Sequence, residues 1–266
     1  DCSAGLSALH VSARLEDTAA FSLLIKHGGD LLAPNADQES ILHVIVQHNR
    51  VKCAELFLKL LRRDLSAEDF DAQVLNRQNK DGFTALHMAA AGGCGQHSML
   101  RLLLAALGPG ARSRAVFSEE VAGPLLLAAA EGCVSNVDAL LRAGFPAAEE
   151  FAEQSALIAA IRHGHTAALQ RLLEAGDASL QLQAEGARQQ SRVTHNPLLF
   201  AVTRGAASAV QLLLDAGADC NLFVLLSSDP TAEPSSLLQI AQRRRDFDTS
   251  KVLSLHASCA DVQLQL

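Results

Sequence analysis

Ten histidines and six cysteines are the residues of this chain best equipped for chemistry, and their spacing decides which chemistry is open to them. Gly92-Gly93-Cys94-Gly95 with His97 sets a thiol in a glycine-rich turn near a helix start, surroundings that favour a thiolate. Cys94, Cys133 and His165 each follow a glycine in stretches of similar pattern, a beginning for a metal ligand set. Arg243-Arg244-Arg245 offers guanidinium donors to a phosphate or an acidic peptide, although a solvated edge is the better account of the run. None of the GxSxG, HExxH, GxxxxGK[ST] or strand-linked GxGxxG patterns occurs. A tight turn explains the Cys94 cluster, so no catalytic residue, metal site or cofactor is expected, and the fragment is read as a non-enzyme.

The elements that must position these residues are clearest in Asn79-Lys80-Asp81-Gly82-Phe83-Thr84-Ala85-Leu86-His87-Met88-Ala89-Ala90-Ala91-Gly92-Gly93. Asp81-Gly82 is a turn pair, because Asp tolerates turn conformations and Gly reaches positive φ without a Cβ clash. Thr84 stands where a helix N-cap belongs, its hydroxyl placed to accept a bond from the first helical turn. Gly92-Gly93 ends the alanine-rich helix. Residues 98–107 then carry Met99, Leu100, Leu102, Leu103, Leu104 and Leu107 at helical spacing, too apolar to be exposed. The unit is turn, short helix, turn, longer buried helix.

Seven helix starts align with this unit: Ser7-Ala8-Leu9-His10, Ser40-Ile41-Leu42-His43, Thr84-Ala85-Leu86-His87, Gly123-Pro124-Leu125-Leu126, Ser155-Ala156-Leu157-Ile158, Asn196-Pro197-Leu198-Leu199 and Ser235-Ser236-Leu237-Leu238. Proline is tolerated second because its missing amide hydrogen has no partner to lose in a first helical turn. Second helices are predicted at 19–26, 52–61, 98–107, 136–142, 167–174, 207–215 and 248–255, with a strand-like end at 261–263. Gly93, Gly132, Gly164 and Gly205 mark the turn between helices, with Asn49 as a left-handed substitute.

These motifs resemble the Thr-Pro-Leu-His signature of ankyrin repeats, and the resemblance covers essentially the whole chain. It implies an all-α solenoid of stacked helix-turn-helix units with β-turn fingers and long inter-repeat loops. One domain, 1–266, is expected, with repeats near 5–37, 38–75, 76–120, 121–150, 151–190, 194–226 and 233–266. It also implies that His10, His43 and His87, which share one repeat position, are structural and bond backbone between neighbouring loops. Cys94 and Cys133 would lie in consecutive copies, about 8 to 10 Å apart if spaced as packed helices are, too far for ready disulfide bonding.

Spacings between the fourth motif positions are 33, 44, 39, 32, 41 and 39 residues, against a family norm of about 33. The surplus falls near 62–75, 108–122, 177–194 and 222–234, loops expected to border the concave recognition face of such a solenoid. The first groups acidic residues around Phe70, and the third carries Arg188 and Arg192. In the fingers, Arg77, Asp81 and Phe83 stand together, with Glu39 and Gln154 at places matching Phe83. Phe83 is either an interface hot spot or packed beneath an inserted loop. Glu39, Phe70, Arg77, Asp81, Phe83, Gln154, Arg188 and Arg192 are the candidate partner-binding residues.

Composition limits the partner. With 22 basic and 29 acidic side chains the net charge is −7, which disfavours nucleic acid. No apolar run approaches the ~20 residues that span a bilayer, so no membrane partner is expected. Six scattered cysteines without a CxxC pair suggest reduced thiols and a cytoplasmic setting. The chain, which begins Asp1-Cys2-Ser3, reads as a fragment of a longer protein and a monomer in isolation. Its expected function is non-catalytic binding of a protein partner through the concave face, fingers and inserted loops. Two narrower roles follow from the resemblance. One is recruitment of a host protein substrate for a larger bacterial effector enzyme such as an arginine ADP-riboxanase; the other is inhibition in the manner of the IκB proteins.

Overall fold

A computed structural model describes residues 6–15, 17–107, 121–146, 150–151, 154–175, 196–220, 223–224 and 235–263, with backbone alone at 150, 151, 154, 223, 224 and 257–263. The chain falls into two compact units, Asp1–Phe145 and Pro146–Leu266. In the first, helix pairs are α1 (Ala8–Leu15) with α2 (Thr18–Lys26), α3 (Ile41–Gln47) with α4 (Val51–Asp64), α6 (Ala85–Ala91) with α7 (His97–Ala106), and α8 (Pro124–Ala130) with α9 (Val134–Arg142). A short α5 (Ala67–Phe70) follows α4. The second unit pairs α10 (Ala156–His163) with α11 (Thr166–Glu174), α12 (Pro197–Arg204) with α13 (Ala207–Asp215), and α14 (Leu237–Arg243) with α15 (Phe247–Gln263). Seven helix pairs thus occur among the described residues, and helix starts lie within a few residues of the sequence reading.

Within each unit the first helices stack on one another through small side chains. Ala13, Ala89, Ala90, Ala128 and Ala129 in the first unit, and Ala160, Ala201 and Ala241 in the second, are fully buried. Alanine keeps the helix contacts tight and carries almost no side-chain entropy to lose. Second helices add larger residues to the core: Phe57, Met99, Leu100, Leu103, Leu140, Leu169, Leu172 and Leu213 are at most 1% exposed.

One conformational landmark recurs. The ninth residue after the N-cap has positive φ at Asn49 (54°), Gly93 (66°), Gly132 (71°), Gly164 (76°), Gly205 (74°) and Arg245 (58°). This left-handed residue reverses the chain between the two helices. Its place in the last repeat corrects the register read from sequence: Ser236, not Ser235, is the N-cap, and its side chain accepts from the Gln239 amide. Gln239 therefore takes the position that histidine holds in the first three repeats, closing an equivalent capping box.

Two further expectations are corrected. The segment 62–75 is not a loop: α4 runs on to Asp64, Ser66 caps α5 by accepting from the Asp69 amide, and a π-helical turn follows at Asp71–Leu75. The strand-like end is helix, since α15 continues to Gln263. Strand pairing among the described residues is confined to two antiparallel hairpins, Glu150–Phe151 with Gln154–Ser155 and Phe223–Val224 with Ser235–Ser236, where a hydrogen-bonding ladder stiffens the approach to a first helix. Most of the remaining inserted segments, including Arg188 and Arg192, lies outside the described residues.

Candidate partner-binding site

The fingers before α3 and α6 are built by one device. Asn35 Oδ1 accepts from the amides of Asp37 (2.9 Å) and Glu39 (2.8 Å), and Asn79 Oδ1 accepts from those of Asp81 (3.1 Å) and Phe83 (2.9 Å). Each Asn amide also donates to the carbonyl four residues on, Glu39 O at 2.9 Å and Phe83 O at 3.0 Å. A single side chain thus closes a four-residue loop that has no strand partner. The turn needs positive φ at Gln38 (59°) and Gly82 (80°). At Gly82 a Cβ would also meet Val121 Cγ2 at 2.7 Å, so glycine is required on two counts.

A histidine joins the two fingers. His43 Nδ1 accepts from the Ser40 amide (3.2 Å) and the Ser40 hydroxyl (2.7 Å), which places the ring proton on Nε2. Nε2 then donates to Phe83 O at 2.9 Å in the next finger. Thr84 and His87 repeat the first half of this arrangement, with Thr84 Oγ1 2.7 Å from Nδ1, but buried His87 Nε2 finds no partner. His10 Nε2 also lacks a bond of good geometry, although the Glu39 carbonyl is near enough to act on its pKa. The structural role expected of all three histidines is complete only at His43.

These rings favour the neutral state. Burial pushes His87 down to about 4 and lowers His43 and His10, the Phe83 and Glu39 carbonyls opposing it at His43 and His10 respectively. Protonating Nδ1 would set N–H against N–H in the capping box.

The predicted binding residues divide on this frame. Arg77 is half-buried and its Nη1 donates to Leu32 O at 2.6 Å, so it ties its finger to the preceding one. Glu39 is also half-buried and accepts from Asn35 Nδ2 at 2.8 Å. Both serve the framework first. Asp81 is exposed at the finger tip. Beside it Phe83 is half-buried, edge-on to the His87 ring at 6.2 Å and 71°. Phe70 requires a correction: it is only 2% exposed, with the Arg62 guanidinium 5.9 Å above its ring, and so belongs to the core rather than to a free surface. Gln154 is placed by its backbone, pairing with Phe151 in the hairpin.

Beyond the histidine bond, the sequence reading missed the contacts between fingers. Lys80 Nζ lies 2.7 Å from Asp37 Oδ1, and its amide donates to Asp37 O at 3.2 Å. That carboxylate raises the Lys80 pKa. Matching Asn-x-Asp-x-[Glu/Phe] spacings at Asn35 and Asn79 were the available signal.

At the other end of the first helices, further bonds cross between repeats of the first unit. Arg50 Nε donates to Arg14 O (3.0 Å), Asn49 Nδ2 to Gly95 O (2.9 Å), Gln96 Nε2 to Val46 O (3.1 Å) and Asn136 Nδ2 to Gly93 O (2.9 Å). Cys94 and Cys133 form a disulfide, with Cα atoms 5.2 Å apart. This overturns the expectation of cysteines too distant to bond. They sit in the inter-helix turns, which approach more closely than helix axes do. No cluster of side chains suited to a metal ion occurs among the described residues.

Comparisons agree with this construction. A family profile described as ankyrin repeats in three copies matches residues 125–224, and a second, for ankyrin repeats in many copies, matches 60–104. A search of curated proteins finds no match. Among solved structures, the human ASB11 ankyrin repeat domain is similar at a TM-score of 0.67 and 20% identity, covering 94% of this chain and 98% of that one. The ankyrin repeat domain of Bcl-3, described as a unique member of the IkappaB protein family, is similar at 0.65 and 21% identity, covering 93% and 99%. Ankyrin repeats are generic protein–protein interaction modules, typically non-catalytic. With repeat profiles over more than half its length and this helix-pair architecture, the chain belongs to the ankyrin-repeat family.

Proposed function

We propose that this chain binds a partner protein through the finger edge of its first unit, with Asp81 and Phe83 in contact and Arg77 and Glu39 holding the edge in shape. The observation that supports this reading is the mutual locking of two fingers by His43, Lys80 and Arg77. A pre-ordered loop gives up less conformational entropy when it binds, so more of the contact energy appears as affinity. The half-exposed aromatic at its end fits the kind of residue that anchors interfaces.

Recruitment of a substrate for a bacterial effector enzyme and IκB-like inhibition are particular cases of such binding, distinguished by the partner. The cytoplasmic setting is kept as part of the proposal, and the Cys94–Cys133 bridge weighs against it, because structural disulfides persist in oxidising compartments.

Affinity capture with wild type and an Asp81→Lys, Phe83→Ala variant tests the finger. Arg77 is left intact because its loss would disturb the framework. Loss of specific partners at an unchanged unfolding midpoint is expected; equal recovery of every partner removes this finger from the interface.

A further inference from the structure

In the second unit the charged groups lie elsewhere. Arg162 and Arg243 are the seventh residues after their N-caps, Ser155 and Ser236, while Arg204 and Arg244 are the eighth after Asn196 and Ser236. These positions fall at the C-terminal ends of α10, α12 and α14, which stack side by side. The same structural level therefore carries a guanidinium in three successive repeats. Arg245 adds another, in the left-handed position that glycine holds in the two repeats before it. A long side chain there sacrifices backbone comfort, and Arg245 is exposed, as are Arg204, Arg243 and Arg244.

Two of the guanidiniums are pre-oriented. Arg162 Cζ and Arg204 Cζ lie 5.6 and 5.8 Å from the centroid of one ring, Phe200, and Arg204 Nη2 donates to Arg162 O at 2.7 Å. A guanidinium held near a ring by cation–π attraction spends no N–H donor on that contact, so its remaining donors can grip a carboxylate. His163 and His165 stand beside them, their rings stacked at 6.2 Å.

Among the described residues at this turn, Asp246 is the carboxylate whose pKa Thr249 first and then Arg244 help to lower, and its oxygens are already engaged. Asp246 has both oxygens engaged by Thr249, Oδ1 with its amide (3.1 Å) and Oδ2 with its hydroxyl (2.7 Å), and these bonds hold its pKa down. Asp248 is the other carboxylate at this turn and is exposed. Next to the arginine run, Phe247 is 82% exposed, well beyond any other large hydrophobic residue among those described. An arginine surface with an uncovered aromatic at its edge has the composition of an interface.

We propose that the C-terminal ends of α10, α12 and α14 form a second recognition surface, which takes an acidic peptide segment of a partner protein. Its carboxylates would meet Arg162, Arg204, Arg243 and Arg244, with an apolar side chain against Phe247. The overall charge of −7 favours a short acidic segment over a long nucleic-acid polyanion, which the rest of the chain would repel. The proposal shares the reading of the chain as a protein-binding module, but it concerns a different surface from the fingers.

The full chain is titrated into a fluorescent oligoglutamate peptide containing one leucine, and anisotropy is followed at low and raised salt. Binding that weakens with salt is expected. Arg162→Glu with Arg204→Glu should weaken it at least about tenfold, equivalent to about 1.4 kcal/mol. Arg162→Lys with Arg204→Lys retains the charge but loses the planar donors, and should bind between the two; Phe247→Ser should also weaken binding. Circular dichroism and the thermal midpoint establish that each variant folds. Phe200→Leu, which keeps an apolar side chain, probes the stacked arrangement independently and should bind more weakly than wild type. No binding by wild type, equal binding by the charge-reversed variant, or tighter binding of single-stranded DNA of equal charge would overturn the proposal. The Asp81→Lys, Phe83→Ala variant should bind oligoglutamate as wild type does. Loss of captured partners in that variant alone supports the fingers, and loss of oligoglutamate binding in the arginine variants alone supports this surface, so either can fail without the other.

Discussion

The two units differ in how many of their charged side chains link one repeat to the next. In the first, Arg50, Arg77 and Lys80 reach from one repeat to the next and end on Arg14 O, Leu32 O and Asp37. In the second, Arg243, Arg244 and Arg245 are exposed at a turn, and Arg204 gives one nitrogen to Arg162 O while its Cζ lies 5.8 Å from the centroid of Phe200. The turns differ in the same sense. Where the first unit has Asn49, Gln96, Asn136 and a disulfide, the step between α10–α11 and α12–α13 has small residues around a cavity of about 310 Å³ that includes Gly164, Gly205, Ala206 and Ala209. A repeat stack is a sum of intrinsic stabilities and neighbour contacts. Polar links can therefore strengthen one stretch while another is left with its polar groups facing outward.

The largest effect that sharpens this contrast comes from the core. Leu103→Ala and Leu172→Ala remove fully buried side chains, 1% and 0% exposed, and each should cost about 2 to 5 kcal/mol. Hydrogen exchange should accelerate chiefly in the unit that carries the substitution. Equal acceleration throughout both units would mean that they unfold as one and would break the comparison.

Acid should separate the units next. His10, His43 and His87 are buried with lowered pKa values, and the unfolded chain binds protons more readily. Their stabilising contribution is fully present above about pH 6.5 and falls as pH drops towards about 4 for His87, a change of up to about 3 kcal/mol for that group. The second unit has Ile158, Leu199 and Gln239 at this position. Urea unfolding monitored unit by unit at neutral and mildly acidic pH should show the first unit losing more, and His87→Gln should reduce the difference.

A smaller effect of opposite sign is expected at Arg245. Arg245→Gly relieves a left-handed arginine at φ 58° and should stabilise the last repeat by about 1 kcal/mol, seen as a higher thermal midpoint. Lost oligoglutamate affinity in the same variant would show that the strained residue is retained for binding.

Much of the fold was legible because its signals are local. Thr84 as a cap, the Asp81-Gly82 turn, Gly93 as a helix stop and the apolar spacing from Met99 to Leu107 act within a few residues of one another, and their recurrence supplied the repeat count. The register slip at Ser235 shows the limit: two adjacent serines are equivalent as letters, and only the Ser236–Gln239 box and the left-handed Arg245 distinguish them. The candidate site was less legible. Arg77 and Phe70 were read as surface by residue type, yet one is committed to Leu32 O and the other lies beneath Arg62.

The sequence by itself determined the helix pairs, their caps and the seven-fold repetition, because those depend on short-range sterics and hydrogen bonding. Tertiary structure decided which equivalent positions meet across repeats. His43 reaches Phe83 O across forty residues of chain while His87 reaches nothing, and Cys94 approaches Cys133 within 5.2 Å because turns pack closer than helix axes. Phe200 gathers two arginines that lie in different repeats. Such pairings depend on the stacking of one repeat against the next, a distance that no stretch of sequence contains.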